Sequence, residues 1–167
     1  MSSSIVTRRA ALSALGGLAS APMVALAQVP VRFRSVEADV EPLRESVGDP
    51  TAAWVAEALP GALAQALGPY LGPGDRNGAT LIARIDYLYL GPSTGGTGPM
   101  GASQDTIAGT LIVRGPRGPI AAETPLRAIT SYYPNPVDQA LWVQSNYYRV
   151  VALAQAFAGW VPRKLGL

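Results

Sequence analysis

Apolar and polar residues alternate along four stretches of this chain, and this period of two is typical of half-buried β-strands. The four stretches are Val29 to Val40, Ala79 to Leu90, Thr106 to Arg114 and Ile120 to Tyr132. In the second stretch, the alternation places the following residues on one face: Leu81, Ala83, Ile85, Tyr87 and Tyr89. The other face of that strand then holds Ile82, Arg84, Asp86 and Leu88.

A helix is predicted between the first two strands, because apolar residues recur from Trp54 to Leu67 at spacings of three and four. The Asp49–Pro50 pair supplies an N-cap acid followed by a proline at the first helical position. The Pro60–Gly61 pair interrupts the pattern, which predicts a kink or two short helices. The Gly68–Pro69 pair marks the end.

A second helix is predicted from about Pro136 to Ala158, after the last strand. The Asn135–Pro136 pair repeats the signal for a helix start, and Gly159 is expected to end the helix. The residues from Trp160 to Leu167 would then form a short tail.

The predicted order of elements is β-α-β-β-β-α, and it favours a single α+β domain over residues 28–167. Three consecutive strands predict a mostly antiparallel meander with both helices packed on one face. The first strand can join the sheet in parallel through the helical crossover. The glycine-rich stretch Gly91 to Gln104 is expected to be a flexible loop between paired strands.

The first 27 residues have the layout of an export signal. An arginine pair, Arg8 and Arg9, precedes an uncharged run that ends in a small-residue pattern with Ala25 and Ala27. This order predicts a signal peptide that is cleaved after Ala27, and the arginine pair suggests the twin-arginine route rather than the general secretory one. The alternative is an uncleaved membrane helix, which the glycine, serine and proline residues of the run disfavour. We therefore expect a periplasmic or secreted bacterial protein without a stable membrane span after processing.

Charge and composition narrow the classes of function. The chain has 13 basic and 11 acidic residues. Cleavage after Ala27 would remove two basic residues and no acidic one, which leaves 11 of each. This balance disfavours nucleic-acid binding, which needs a clustered basic surface. The chain contains neither cysteine nor histidine. Disulfides, thiolate chemistry, lipid attachment through cysteine and the commonest metal ligands are therefore not expected, and we predict no cofactor and no bound metal.

The glycine-rich stretch contains a formal dinucleotide-binding pattern formed by Gly96, Gly98 and Gly101. In a true site, a helix follows the pattern so that its N-terminal amides meet the phosphates. A strand is predicted next here, so we interpret the pattern as a flexible loop.

Three carboxylates in or beside predicted strands, Asp86, Asp105 and Glu123, could support acid–base hydrolysis. An ion pair between Asp86 and Arg84 is the simpler explanation for the first. A histidine-dependent triad is impossible, and a serine–lysine dyad would need Lys164, the only lysine. We therefore predict no catalytic residue.

Aromatic residues are concentrated late in the chain, and they are the candidate ligand or partner surface: Tyr132, Tyr133, Trp142, Tyr147 and Tyr148. Rings with polar tips suit a groove for an amphipathic ligand. The interpretation that the sequence favours, however, is that these rings fill the interface between helix and sheet. Because adjacent residues of a helix point about 100° apart, two neighbouring tyrosines cannot both face the core. Arg114 and Arg117 flank the turn between the last two strands and could contact an anionic headgroup, but the pattern favours solvated turn charges.

Three stretches resemble a family of small envelope proteins, the periplasm-facing auxiliary components of ABC-type lipid transporters, whose fold is similar to that of the lipopolysaccharide-assembly lipoprotein. Residues 79–86 resemble the long central strand of these proteins, residues 109–120 their hairpin, and residues 152–158 their closing helix. The resemblance implies a binding or assembly role in the envelope.

The sequence thus predicts an exported, non-enzymatic periplasmic binding protein or accessory protein of envelope assembly or transport, with an envelope protein or a lipid as partner. The alternative is a small carboxylate-dependent hydrolase that uses residues 91–104 as a lid.

Overall fold

The computed structural model describes residues 32–92, 103–133 and 141–167. The elements along these segments are β1 (Phe33–Asp39), α1 (Glu41–Val47), α2 (Thr51–Ala66), a 3-10 turn (Gly68–Tyr70), β2 (Ala79–Tyr89), β3 (Ser103–Arg114), β4 (Ile120–Tyr132) and α3 (Trp142–Leu165). The predicted export signal lies outside these residues.

The four strands form one sheet in the order β1-β2-β3-β4. Strand β1 pairs with β2 in parallel, and the other two pairs are antiparallel. The helical segment between β1 and β2 supplies the crossover that a parallel pair requires. The predicted α+β domain with a mostly antiparallel sheet is confirmed.

One hydrophobic core joins the helices to a single face of the sheet. Helix α2 contributes Val55, Leu59 and Leu63, which recur at a spacing of four and are fully buried. This stripe continues on both sides of Pro60, and α2 is one continuous helix. The prediction of two short helices is therefore wrong, because burial of the stripe holds both halves against the same core.

The start of the first helical region also differs from the prediction. A short additional helix, α1, precedes α2, and it begins with Glu41 and a proline in its first turn. Its single buried residue, Leu43, gives no periodic signal in the sequence. Asp49 is not the N-cap of α2, since Pro50 occupies that position. The Asp49 carboxylate instead accepts a hydrogen bond from the Arg44 Nε atom at 3.4 Å.

Helix α3 extends past its predicted end. Gly159 lies inside the helix on an exposed surface, and the residues predicted as a tail continue the helix to Leu165. The apolar stripe explains the extension, because Phe157, Val161 and Leu165 are buried at successive spacings of four. The helix ends at Gly166, whose φ of 73° places it in the left-handed region that glycine adopts without strain. The predicted start at Pro136 lies outside the described residues.

A β-bulge in β2 reverses part of the predicted face assignment. The pairing with β3 shifts between Ile85 and Tyr87. Beyond that point Leu88 is buried, whereas Tyr87 and Tyr89 are exposed at 45% and 49%. Because the bulge inserts one residue, every later side chain changes face.

The bulge also brings β2 close to Gly109 of β3. A Cβ atom at Gly109 would lie only 2.1 Å from the carbonyl oxygen of Arg84. No side chain fits at this distance, so a glycine is required at this position.

Candidate functional site

The aromatic residues predicted as a surface lie at one end of the sheet, where the start of β3, the end of β4 and the start of α3 meet. The antiparallel register places Ser103 opposite Tyr132 and Asp105 opposite Thr130. Arg149, the eighth residue of α3, reaches from the helix to β3. The site is therefore built from segments that are distant along the chain.

A buried ion pair between Arg149 and Asp105 lies at this end of the sheet. The two side chains are 5% and 1% exposed. The Arg149 Nε atom donates to Asp105 Oδ2 at 2.9 Å, and Nη2 donates to Asp105 Oδ1 in a second, very short contact. Two parallel hydrogen bonds of this kind fix the relative position of the strand and the helix.

The ion pair also binds the backbone at the end of β2. Arg149 Nη2 donates to the carbonyl oxygen of Gly91 at 2.6 Å, and the Gly91 amide donates to Asp105 Oδ1 at 2.9 Å. A Cβ atom at Gly91 would lie 2.8 Å from the Cβ atom of Ser103, so the close approach requires glycine. The remaining guanidinium nitrogen, Nη1, donates to Asn146 Oδ1 at 3.1 Å. Burial of this charge is therefore compensated by hydrogen bonds in several directions.

Two tyrosines connect the ion pair to the surface. The Arg149 guanidinium lies 4.0 Å from the centre of the Tyr132 ring, a distance that favours a cation–π interaction. The Tyr132 hydroxyl lies 3.2 Å from Ser145 Oγ, within hydrogen-bonding distance. Tyr148 precedes Arg149 on the helix and is 60% exposed.

A second aromatic contact joins α3 to α2. The rings of Trp54 and Tyr147 meet edge to face with their centres 6.0 Å apart, and Tyr147 contacts Tyr148 in the same manner at 5.8 Å. The Tyr147 hydroxyl donates to Glu57 Oε1 at 3.3 Å. The negative charge of Glu57 raises the pKa of Tyr147 above its usual value, so this phenol stays protonated as a donor.

These residues line two cavities that share Tyr148. The smaller cavity, of about 280 Å³, has the ion pair in its wall and polar residues around it, among them Thr130, Ser131 and Ser145. The larger groove, of about 640 Å³, is mainly apolar. It is lined by Trp54, Leu141, Trp142, Val143, Gln144, Tyr147 and Tyr148.

The structure brings together four of the five residues predicted as a surface. Tyr132 and Tyr148 line the smaller cavity, and Trp142, Tyr147 and Tyr148 line the larger groove. Tyr133 lines neither, although it is 58% exposed. Packing in the interface between helix and sheet is the wrong interpretation for Tyr133, Trp142 and Tyr148, because all three are more than half exposed.

Sequence reasoning missed Arg149 and Trp54. Arg149 precedes the fully buried Leu153 and Phe157 at successive spacings of four, so the sequence contains a charge on the apolar stripe of an amphipathic helix. A buried arginine requires a carboxylate or several oxygens. The partner, Asp105, lies among polar residues at the start of β3 and gives no comparable signal, so Arg149 was the available one.

The three candidate carboxylates do not form an acid–base pair. Asp105 is held in the ion pair with Arg149, while Asp86 lines a different cleft. Glu123 is exposed and pairs in register with Ile112. The predicted ion pair between Asp86 and Arg84 is also wrong. Arg84 Nε donates to Asp39 Oδ2 at 2.8 Å, and this contact lowers the pKa of the Asp39 carboxyl. The arrangement therefore does not favour the hydrolase alternative.

Metal and dinucleotide sites receive no support from the described residues. Within residues 32–92, 103–133 and 141–167, no group of three or more potential ligands is placed to hold a metal ion. The glycines of the dinucleotide-binding pattern lie outside those segments, and strand β3 follows them where a true site needs a helix. None of the helices in the same segments combines the length and apolar character that a membrane crossing requires.

Comparisons with known proteins give weak likenesses only. No family model and no curated protein sequence matches the chain. A minor lipoprotein from Acinetobacter baumannii, solved by crystallography, is similar with a TM-score of 0.39 and 14% identity, over 80% of this chain and 94% of that one. A crystal structure of an uncharacterised protein matches with a TM-score of 0.32 and 14% identity, over 77% of this chain and 82% of that one. Neither likeness, at this identity and TM-score, assigns a family or a function.

Proposed function

We propose that this protein is a non-enzymatic, exported envelope accessory protein that binds an amphipathic, lipid-like ligand at the aromatic end of its sheet. The observation that carries the proposal is the pair of cavities that share Tyr148. The walls of both cavities are mainly apolar, and only the smaller cavity includes charged side chains, those of Asp105 and Arg149. An amphipathic molecule has parts that suit both environments, because apolar surface gains by burial while polar groups need hydrogen-bond partners.

The anchoring contacts support a binding role for this surface. The Arg149–Asp105 pair fixes the start of α3 on the sheet, and the contact between Trp54 and Tyr147 fixes it on α2. A surface held on two sides loses little conformational entropy when a ligand binds. The exposed Trp142, at 62%, is then available to cover an apolar chain.

The proposal is tested with a fluorescent dansyl-labelled fatty acid as the probe and the full-length chain as the receptor. The variants Trp142→Ala and Tyr148→Ala each remove an exposed ring from the walls, and Tyr89→Ala removes an exposed ring that lines neither cavity. We expect about tenfold weaker binding for the first two variants and unchanged binding for the third, since aromatic side chains dominate apolar contacts.

Thermal unfolding is measured on the same variants as a control for folding. Because Trp142 and Tyr148 are more than half exposed, their removal should leave the melting temperature close to that of the wild type. A lower melting temperature with unchanged probe affinity would show that the rings only stabilise the fold, and it would refute the proposed function.

A further inference from the structure

A separate cleft of about 790 Å³ lies where the C-terminal part of α3 meets the strands β3 and β4. Three cationic side chains line it, Arg127 from β4 and Arg163 and Lys164 from the last turn of α3. The indole ring of Trp160 and one carboxylate, that of Asp86, complete the polar and aromatic lining. The cleft has no residue in common with the aromatic cavities.

The cations of this cleft have no carboxylate partner among the described residues. The arginines that form ion pairs within those residues lie elsewhere: Arg44, Arg84 and Arg149. Arg127 faces the ring of Tyr87 at 6.0 Å, and Arg163 faces the ring of Trp160 at 5.3 Å. Among the side chains that line the cleft, three are positive and one is negative, so the lining has a surplus of positive charge.

The helix end alone does not account for these cations. Basic residues in a last turn often compensate the free carbonyl groups and the negative end of the helix dipole. Here, however, the carbonyl oxygens of Pro162 and Arg163 accept hydrogen bonds from the main-chain amides of Leu167 and Gly166 at 3.0 Å and 3.3 Å. Arg127 is on a strand and has no helix end to compensate.

We infer that this cleft binds a phosphate-bearing anion through Arg127, Arg163 and Lys164. Guanidinium groups donate paired hydrogen bonds to phosphate oxygens, and an ammonium group adds a point charge. The half-exposed ring of Trp160 borders the same space and supplies apolar contact for the rest of the ligand. The shared chemistry is that of a phosphate ester, which is present both in small soluble molecules and in anionic lipid headgroups.

The soluble source is tested by titrating the full-length chain with inorganic phosphate and with glycerol 3-phosphate, followed by calorimetry. The variant Arg163→Gln/Lys164→Gln removes two cations from the cleft. Arg114→Gln/Arg117→Gln removes the same charge from two exposed positions, the end of β3 and the turn that follows it. We expect the first variant to bind at least about tenfold more weakly, because charge-assisted hydrogen bonds are lost. The second should bind within about twofold of the wild type, since only long-range attraction changes.

The lipid source is tested by flotation with vesicles of phosphatidylcholine that contain phosphatidylglycerol, and with vesicles of pure phosphatidylcholine. Binding of the soluble phosphates identifies a soluble ligand, and selective binding of the anionic vesicles alone identifies a headgroup. The N-terminal segment is identical in all variants, so its contribution cancels between them. Asp86→Asn should strengthen binding in either case, because it removes the carboxylate that lines the cleft.

Two results would overturn the inference: no binding of any phosphate probe by the wild type, or equal losses in the cleft variant and the turn variant. The latter would show that binding follows net charge rather than this cleft. Failure here leaves the proposed function intact, because the fatty-acid probe reports on Trp142 and Tyr148 at the other site.

Discussion

Replacing Arg149 by methionine tests whether the buried ion pair is what holds α3 on the sheet. Methionine preserves much of the length of the side chain but none of its hydrogen bonds. The substitution removes four of them: two to Asp105, one to the Gly91 carbonyl and one to Asn146. The Asp105 carboxylate, 1% exposed, keeps the Gly91 amide as its described donor.

The expected cost of Arg149→Met is about 3–5 kcal/mol, the range for breaking a buried pair and leaving one charge without its partner. A domain of this size is stable by only about 5–15 kcal/mol in total. The double variant Arg149→Met/Asp105→Leu removes both charges, but the Gly91 carbonyl loses its donor and the Gly91 amide loses its acceptor, at about 1–3 kcal/mol each. The double variant should therefore lose less stability than the two single variants together, because neither charge is left buried without its partner.

The assay is urea unfolding followed by circular dichroism, on the wild type, both single variants and the double variant. The four free energies of unfolding give the interaction energy between the two positions. The reasoning is refuted if Arg149→Met costs less than about 1 kcal/mol, or if the losses of the single variants simply add in the double variant.

Three further predictions follow from other parts of the fold. Gly109→Ala should lower the free energy of unfolding by at least about 2 kcal/mol, because its Cβ atom would collide with the Arg84 carbonyl. Gly61→Ala lies in open space inside α2 and should raise the free energy of unfolding by about 0.5–1 kcal/mol in the same urea assay. Asp39→Asn should cost less than about 1 kcal/mol at neutral pH, because the pair is partly exposed. The pKa of this carboxyl is lower in the folded state than its ordinary value of 3.8. Its contribution to the free energy of unfolding is therefore complete above pH 3.8. That contribution should disappear, in urea unfolding at a series of pH values, as the pH falls through the folded-state pKa. Replacing the Arg8–Arg9 pair by two lysines should leave precursor in the cytoplasmic fraction on immunoblots, while undisturbed export would indicate the general secretory route.

Much of the sheet follows from local pattern, and its main exception has a local cause. The fourth strand, Ile120–Tyr132, has its predicted bounds, because alternation and the preceding turn both mark it. The predicted faces of β2 are correct only as far as Ile85, because no neighbouring residue in the sequence indicates the bulge. The sign of the bulge is in the partner strand, where only a glycine fits at position 109, which is Gly109. Alternation within one strand contains no information about the partner.

The candidate site is predictable only in part, for a similar reason. The cluster of aromatic residues is visible because Trp142 and Tyr148 are close in sequence. The ion pair is not, because Asp105 and Arg149 are 44 residues apart and meet only once β3 and α3 have a fixed register. Whether Tyr148 faces solvent or core depends on the same long-range register. The sequence shows that the aromatic residues are close together along the chain, and tertiary packing decides which of them are exposed.

The contacts of Gly91 have a consequence for the order in which the protein folds. The turn between β3 and β4 is short, so that hairpin closes a small loop and can form early. The carboxylate of Asp105, however, draws its described hydrogen bonds from Gly91 and from Arg149, a residue 58 positions after that glycine. We therefore expect the Asp105 carboxylate to stay in contact with water until the last helix docks. Docking of α3 is then expected to bury this charge and to form the aromatic cavities together.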